Sequence, residues 1–232
     1  MKKRKNLYVS MSTTEKVLGW CWLAFQLLLL PSVLTWVNGQ LNSPMNGAVY
    51  NFVYHLVNFV AMLCIFRLFL RDSLVAAWGD IWNFIQAVVL GFVAYWACEK
   101  AYGWILSLLD LRLNNINDST VAAMLQSNRV LMTIAVVVLA PLTEETLYRG
   151  LIFRNLWQTS RVGAYLVSMF AFAAIHVVGY IGTTDITTLI LCFIQYLPAG
   201  LCLAWTYSKA SNLFAPVLVH AIVNAIAIGL VR

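Results

Sequence analysis

The sequence predicts an all-α protein: a polytopic bundle of about seven transmembrane helices. Its 232 residues are 62% hydrophobic and 10% charged, and its mean hydropathy is +0.79. Soluble domains are about half apolar and about one quarter charged, so this composition is typical of a polytopic membrane protein. A spanning helix needs about 20 mostly apolar residues, so the length accommodates about seven spans and no sizeable soluble domain. The alternation typical of membrane β-barrels is absent, which leaves helices as the spanning elements.

Apolar stretches separated by polar turns mark the spans in order. We predict spans at about 17–37, 48–70, 81–109, 130–148, 162–180, 186–207 and 213–231. The third is long for one span, so we expect Glu99 and Lys100 to mark its membrane exit and 101–109 to lie at the interface or insert partly. Any eighth helix would have to come from this region. We predict an external loop or surface helix at 110–127 and a basic interfacial helix at 149–161.

The positive charges predict the orientation. If the N-terminus is cytoplasmic, all but four of the 15 Lys and Arg residues lie inside, and those four are Lys100, Arg112, Arg129 and Arg232. The positive-inside rule therefore predicts a cytoplasmic N-terminus in the plasma membrane. The charges are not gathered into one patch, so we expect the lipid bilayer and no nucleic acid as a partner. The chain divides into a basic N-terminus (1–16), N-terminal spans with an external loop (17–129) and a catalytic core (130–232).

Adjacent carboxylates stand out at the end of the apolar stretch 130–142. An ionisable group in hydrocarbon costs about 2.5–3.5 kcal/mol, so Glu144 and Glu145 there suggest a functional site. In a helix, Glu145 and Arg149 share a face in the favourable order for an ion pair, which would be structural. Glu144 is rotated by about 100° and stays available for chemistry. The alternative is a helix end whose glutamates are solvated.

Two histidines also lie in apolar stretches. His176 follows Phe172 by four residues, so the two share a face and Phe172 is expected to support the imidazole. His220 precedes Asn224 by four residues and projects from the same face as the carboxamide. A packing role for His176 and interhelical hydrogen bonding by His220 and Asn224 are the alternatives. Together with Glu144, the histidines form a ligand set that zinc accepts, or one that activates water without a metal.

Other polar residues are expected to be structural. His55 has no carboxylate near it in sequence, and Asp110, Asp118 and Asp185 are expected to be loop acids. The five cysteines lie in apolar segments without CxxC spacing, so we expect them to behave as small hydrophobic residues.

With Glu144-Glu145-x-x-x-Arg149, Phe172-x-x-x-His176 and His220-x-x-x-Asn224 in this order, the chain resembles the CAAX protease and bacteriocin-processing (Abi) family, which includes the type II CAAX prenyl endopeptidases. The resemblance covers about residues 130–230, and the first half has no motif. It implies an all-helical intramembrane protease that cleaves a peptide bond near the cytoplasmic membrane face.

The resemblance also implies a role for each motif residue. Glu144 would be the catalytic carboxylate, with Arg149 as a structural partner. His176 would join Glu144 in holding a water or a metal. His220 and Asn224 would bind the metal or stabilise the oxyanion, a role worth about 10²–10³ in rate for such an amide. The family is usually described as metal-dependent, although a metal-free glutamate mechanism is also argued for it, so zinc held by Glu144, His176 and His220 is an open alternative.

The function expected from the sequence is therefore that of an intramembrane endopeptidase, similar to the metalloendopeptidases and CAAX prenyl proteases. Its substrate would be a peptide or a membrane protein, processed as a CAAX tail, a leader peptide or a bacteriocin-related peptide. A catalytically inactive scaffold or bacteriocin self-immunity protein is the main alternative. A small transporter or proton relay is a third, because Glu and His in spans also mark ion paths.

Overall fold

Ten helices make up the part of the chain that the computed structural model describes, residues 9–111 and 114–230. They are α1 (Thr13–Leu28), α2 (Leu30–Gly39), α3 (Gly47–Ile65), α4 (Arg67–Gly79), α5 (Ile81–Leu108), α6 (Ile116–Ser127), α7 (Arg129–Trp157), α8 (Arg161–Val178), α9 (Ile186–Ala210) and α10 (Phe214–Leu230). The all-α class is thus confirmed. Of the charges used to predict orientation, Lys2, Lys3, Arg4, Lys5, Arg112 and Arg232 lie outside the described residues.

Five helices are long and apolar enough to cross a membrane, namely α3, α5, α7, α8 and α9. The pair α1 and α2 adds a sixth if it forms one span with its 51° bend. The difference from the seven expected spans is α10, whose 17 residues fall short of the usual 20. Many large apolar side chains point outward, such as Leu28, Trp82 and Val162, as expected for surfaces that contact lipid.

The third predicted span is one helix, α5, whose 28 residues continue past Glu99 and Lys100. Two expected boundaries differ from the structure. The first predicted span is divided at Leu29, next to a proline in the first turn of α2. The interfacial helix expected at 149–161 is wrong in its first part, because α7 continues through these residues and Thr146–Phe153 is buried throughout. A fully buried Arg149 was not expected from a basic, amphipathic segment.

The helix α7 carries the glutamate pair and departs from regular α-helix on both sides of it. Asn128 caps its start by accepting a hydrogen bond from the Leu131 amide at 3.2 Å. A π-helical stretch, Ala135–Leu139, precedes the short α-helical segment Ala140–Glu145, and a second one, Thr146–Phe153, follows it. π-Helical turns are rare and are frequent at functional sites because they redirect side chains within a helix.

One end of the bundle, which we call the basic end, joins the start of α1, the start of α4 and the end of α7. The Glu15 carboxylate accepts a hydrogen bond from the Phe69 amide at 2.9 Å. The Arg154 guanidinium donates to the Val9 carbonyl at 2.7 Å. These contacts bring chain segments that are distant in sequence to the same side of the helices.

The opposite end, which we call the α6 end, joins the end of α5 to the start of α9, and the start of α7 to the end of α10. The Tyr102 hydroxyl donates to the Leu191 carbonyl at 3.0 Å. The Arg129 guanidinium donates to the Ile228 carbonyl at 3.1 Å. Because α6 connects α5 with α7, it lies at this end.

The main hydrophobic core lies between the glutamate pair and the basic end. Phe66, Phe69, Leu151, Phe153 and Tyr207 are almost fully buried there. The ring centroids of Phe153 and Tyr207 are 5.7 Å apart in an edge-to-face arrangement. Apolar side chains therefore fill the space on this side of the pair.

Candidate active site

A buried ion pair forms the base of the site. Glu145 and Arg149 are both fully buried, and an Arg149 nitrogen lies 3.0 Å from Glu145 Oε1. The guanidinium also donates to the Gly200 carbonyl at 2.9 Å and lies 4.5 Å from the centre of the Phe172 ring. The ion pair that the spacing of these two residues predicts is thus present. Buried charges are tolerated when they are paired and hydrogen-bonded, as these are. The contacts of Arg149 with Gly200 and Phe172 also join α7 to α9 and α8.

The helix α10 is attached to the same carboxylate. His220 Nδ1 lies 2.9 Å from Glu145 Oε1, the oxygen that also accepts from Arg149. Because this carboxylate oxygen accepts a hydrogen bond from Arg149, it is also the acceptor toward His220, and we place the His220 ring proton on Nδ1. One turn further along α10, Asn224 donates to the Val136 carbonyl in the first π-helical stretch at 2.8 Å.

Glu144 and His176 face each other across a short gap. His176 Nε2 lies 3.9 Å from Glu144 Oε2, which is too far for a direct hydrogen bond. The Nδ1 atom of His176 lies 2.7 Å from the Phe172 carbonyl, which can only accept, so Nδ1 carries the proton and Nε2 offers a lone pair. Glu144 Oε2 is buried and has no hydrogen-bond partner among the described residues. A gap of this size between two acceptors suits one bridging water.

A single cavity of about 890 Å³ brings the predicted site residues together. Glu144, His176, His220 and Asn224 all line it, although they come from three helices. Its volume falls in the range of about 300–1,000 Å³ that is usual for ligand sites. Glu145 and Arg149 lie behind this wall, where they hold the side chains that face the cavity.

Several lining residues were not predicted. His55, expected to be structural, lines the cavity, and so does Thr143, whose buried hydroxyl has no partner among the described residues. Tyr196 also lines it, and its ring stacks on His176 with centroids 4.1 Å apart. The Tyr196 hydroxyl donates to Asp118 at 2.9 Å, so Asp118 is part of the cavity wall and not merely a loop acid. Desolvation raises the pKa of the Asp118 carboxyl above its usual value, against the lowering effect of the bond from Tyr196.

The three residues expected to bind zinc do not form a ligand set. Among the described residues, no three His, Cys, Asp or Glu side chains are grouped so that they could hold a metal ion. We therefore derive no step through a metal.

These features define an integral membrane protein with a polar site between its helices. Residues 126–226, somewhat less than half of the chain, match the family described as type II CAAX prenyl endopeptidase Rce1-like. The match contains all three motifs, so the resemblance found from the sequence is confirmed.

One curated relative is the UPF0177 protein YxdF from Lactococcus lactis, which is 31% identical over 87 residues. The aligned part covers 38% of this chain and 42% of that protein, so less than half of the relative is represented. No solved structure matches the chain.

Proposed function

We propose that the protein is an intramembrane endopeptidase in which Glu144 activates a water for attack on a peptide bond. The observation that carries this proposal is the 3.9 Å gap between Glu144 Oε2 and the lone pair of His176 Nε2 inside the shared cavity. A water there donates one hydrogen to each acceptor, which directs its own lone pairs away from the wall and toward the cavity. That is the orientation required of a nucleophile.

The reaction proceeds by general base catalysis. Glu144 takes a proton as the water oxygen bonds to the carbonyl carbon, and the proton then passes to the leaving amine as the C–N bond breaks. The products are a carboxylate and an amine. The His176 ring stacks on Tyr196 and is hydrogen-bonded to the Phe172 carbonyl. Because these two contacts hold the ring in place, the water keeps its position during attack.

The oxyanion of the tetrahedral intermediate needs donors on the opposite side. Asn224 uses one amide hydrogen for Val136, and a carboxamide nitrogen carries two, so the second serves the oxyanion. His220 donates from Nε2 only when its ring is doubly protonated, because Nδ1–H already points to Glu145. Glu145 is thus the positioning residue that holds the His220 ring toward the cavity.

An inactive scaffold accounts less well for this arrangement. Glu145, Arg149 and His220 are paired with one another, as expected of a packing network, although Glu145 Oε2 and Arg149 Nε have no partner among the described residues. Glu144 differs because its unpartnered Oε2 belongs to a residue that lines the cavity, where a substrate or a water can reach it. An ion path is also less well supported, because the buried aromatic core separates the cavity from the basic end.

The test compares new protein termini in membranes from cells that express the wild-type chain, Glu144→Gln or the surface control Asp72→Asn. We expect cleavage products that disappear with Glu144→Gln and persist with Asp72→Asn, while all three proteins accumulate equally. If Glu144→Gln produces the wild-type set of termini, the proposal is wrong. If instead it lowers accumulation and no product depends on the chain, the scaffold explanation is favoured.

A further inference from the structure

The cavity is open at one end of the bundle and closed at the other. Its deep part is walled by buried residues such as Thr143, Leu147 and Tyr148. Its outer part is lined by residues that reach solvent, among them Lys100 and Gly179. A substrate therefore enters past the second group.

The open end is the α6 end. Besides Gln26 of α1 and the middle of α7, the cavity is lined by 51–58 of α3, the second half of α5, the helix α6, the end of α8, the first half of α9 and α10 from His220 onward. In an antiparallel bundle these segments all lie toward the end that contains α6. On the other side of the glutamate pair lies the core around Phe66, Phe153 and Tyr207, which blocks a path to the basic end.

Positive charges are concentrated at the closed end. Among the described residues, six lysines and arginines lie near the basic end: Lys16, Arg67, Arg71, Arg154, Arg161 and Lys209. The α6 end has two, Lys100 and Arg129, together with four acids, Glu99, Asp110, Asp118 and Asp185. The basic end has three acids, Glu15, Asp72 and Asp80, so the excess of positive charge lies there. The positive-inside rule therefore assigns the basic end to the cytoplasm and the open end to the other side of the membrane.

We propose that the cavity is entered from the non-cytoplasmic side, so the substrate is a peptide segment exposed there: an exported peptide, or the outer tail of a membrane protein. This inference rests on the proposed function for the hydrolysis itself. It places the entrance on the side of the membrane opposite to the cytoplasmic side that the family resemblance implies. A tail confined to the cytoplasm is excluded by the packed core.

The depth of the site sets a minimum substrate length. Glu144 lies 15 residues after the start of α7, which places it about 22 Å from the α6 end at 1.5 Å per residue. An extended chain advances about 3.3 Å per residue, so about seven residues must be free of structure to bring the scissile bond to Glu144. A folded domain or a tight turn cannot reach it.

Two glycines provide a matched test. A Cβ at Gly179, at the mouth, and at Gly79, at the end of α4 on the basic end, would meet no atom within 4 Å. Gly179→Cys and Gly79→Cys are made in a full chain whose native cysteines are replaced by alanine, and also in the parent chain. Intact cells are treated with a membrane-impermeant maleimide, before or after permeabilisation.

We expect Gly179→Cys to react in intact cells, and Gly79→Cys to react only after permeabilisation. Any other pattern overturns the inference, including reaction of both in intact cells. If the cysteine-free protein fails to accumulate, the two variants are compared in the parent chain instead. The labelling of the unmodified parent chain is then subtracted from that of each variant. Labelling does not require activity, so loss of cleavage in Glu144→Gln tests the proposed function separately. A bulky maleimide on Gly179→Cys is also expected to block cleavage, whereas one on Gly79→Cys is not.

Discussion

Replacing Arg149 by methionine tests whether the site depends on the buried ion pair. The substitution leaves the Glu145 carboxylate fully buried without its main counter-charge and removes the hydrogen bond to the Gly200 carbonyl. Breaking a buried pair by removing one partner costs about 3–5 kcal/mol, so we expect a loss of that size in the free energy of unfolding. Glu145→Gln combined with Arg149→Met removes both charges, and we expect the double variant to regain about 2 kcal/mol relative to Arg149→Met.

Unfolding is measured by titrating the detergent-solubilised protein with a denaturing detergent and following the fluorescence of its nine tryptophans. The control is Arg161→Met, in which an exposed arginine over Trp157 is removed, with an expected cost of about 0.5–1 kcal/mol. If the effects of Arg149→Met and Glu145→Gln add to within about 0.5 kcal/mol, the two side chains are not energetically coupled. The role assigned to this pair would then be incorrect.

Further predictions concern helix packing, the aromatic support and metals. Gly91→Ala makes a Cβ overlap with Thr206 Oγ1, so we expect a loss of about 1–3 kcal/mol in the same unfolding assay and recovery when Thr206→Ala is added. A single variant as stable as the wild type would contradict this packing. Phe172→Leu removes the ring whose centre lies 4.6 Å from that of His176, and we expect kcat to fall roughly 10–100-fold with little change in KM, whereas an unchanged kcat would show that the ring does not position the imidazole. A zinc chelator is expected to leave the cleavage rate unchanged, because the described residues form no three-ligand group; inhibition that added zinc reverses would contradict this.

Contacts within one helix could be predicted from the sequence. The spacing of Glu145 and Arg149 predicted an ion pair on one helical face, and the spacing of Phe172 and His176 predicted that their rings meet, which the structure has at 4.6 Å. Helical periodicity fixes such pairs because residues four apart are neighbours on the helix surface. The all-α class followed for a similar reason, since composition alone restricts the backbone in a membrane.

Contacts between helices could not be predicted in this way. Tyr196 lies in a different helix from His176, and no spacing in the sequence indicates that their rings stack. The spacing in the sequence likewise does not indicate that His220 directs Nδ1 to Glu145, because the two residues lie on different helices. Both depend on how the helices pack, which one sequence does not determine.

The central claim is that Glu144 acts as the base for a water held against His176. The most direct test is the single-turnover cleavage rate of a peptide identified from the membrane termini, measured with purified wild-type protein and Glu144→Gln in proteoliposomes. We predict that the substitution lowers this rate about 10²–10⁴-fold while the unfolding midpoint stays close to that of the wild type. A rate for Glu144→Gln within twofold of the wild type would contradict the mechanism.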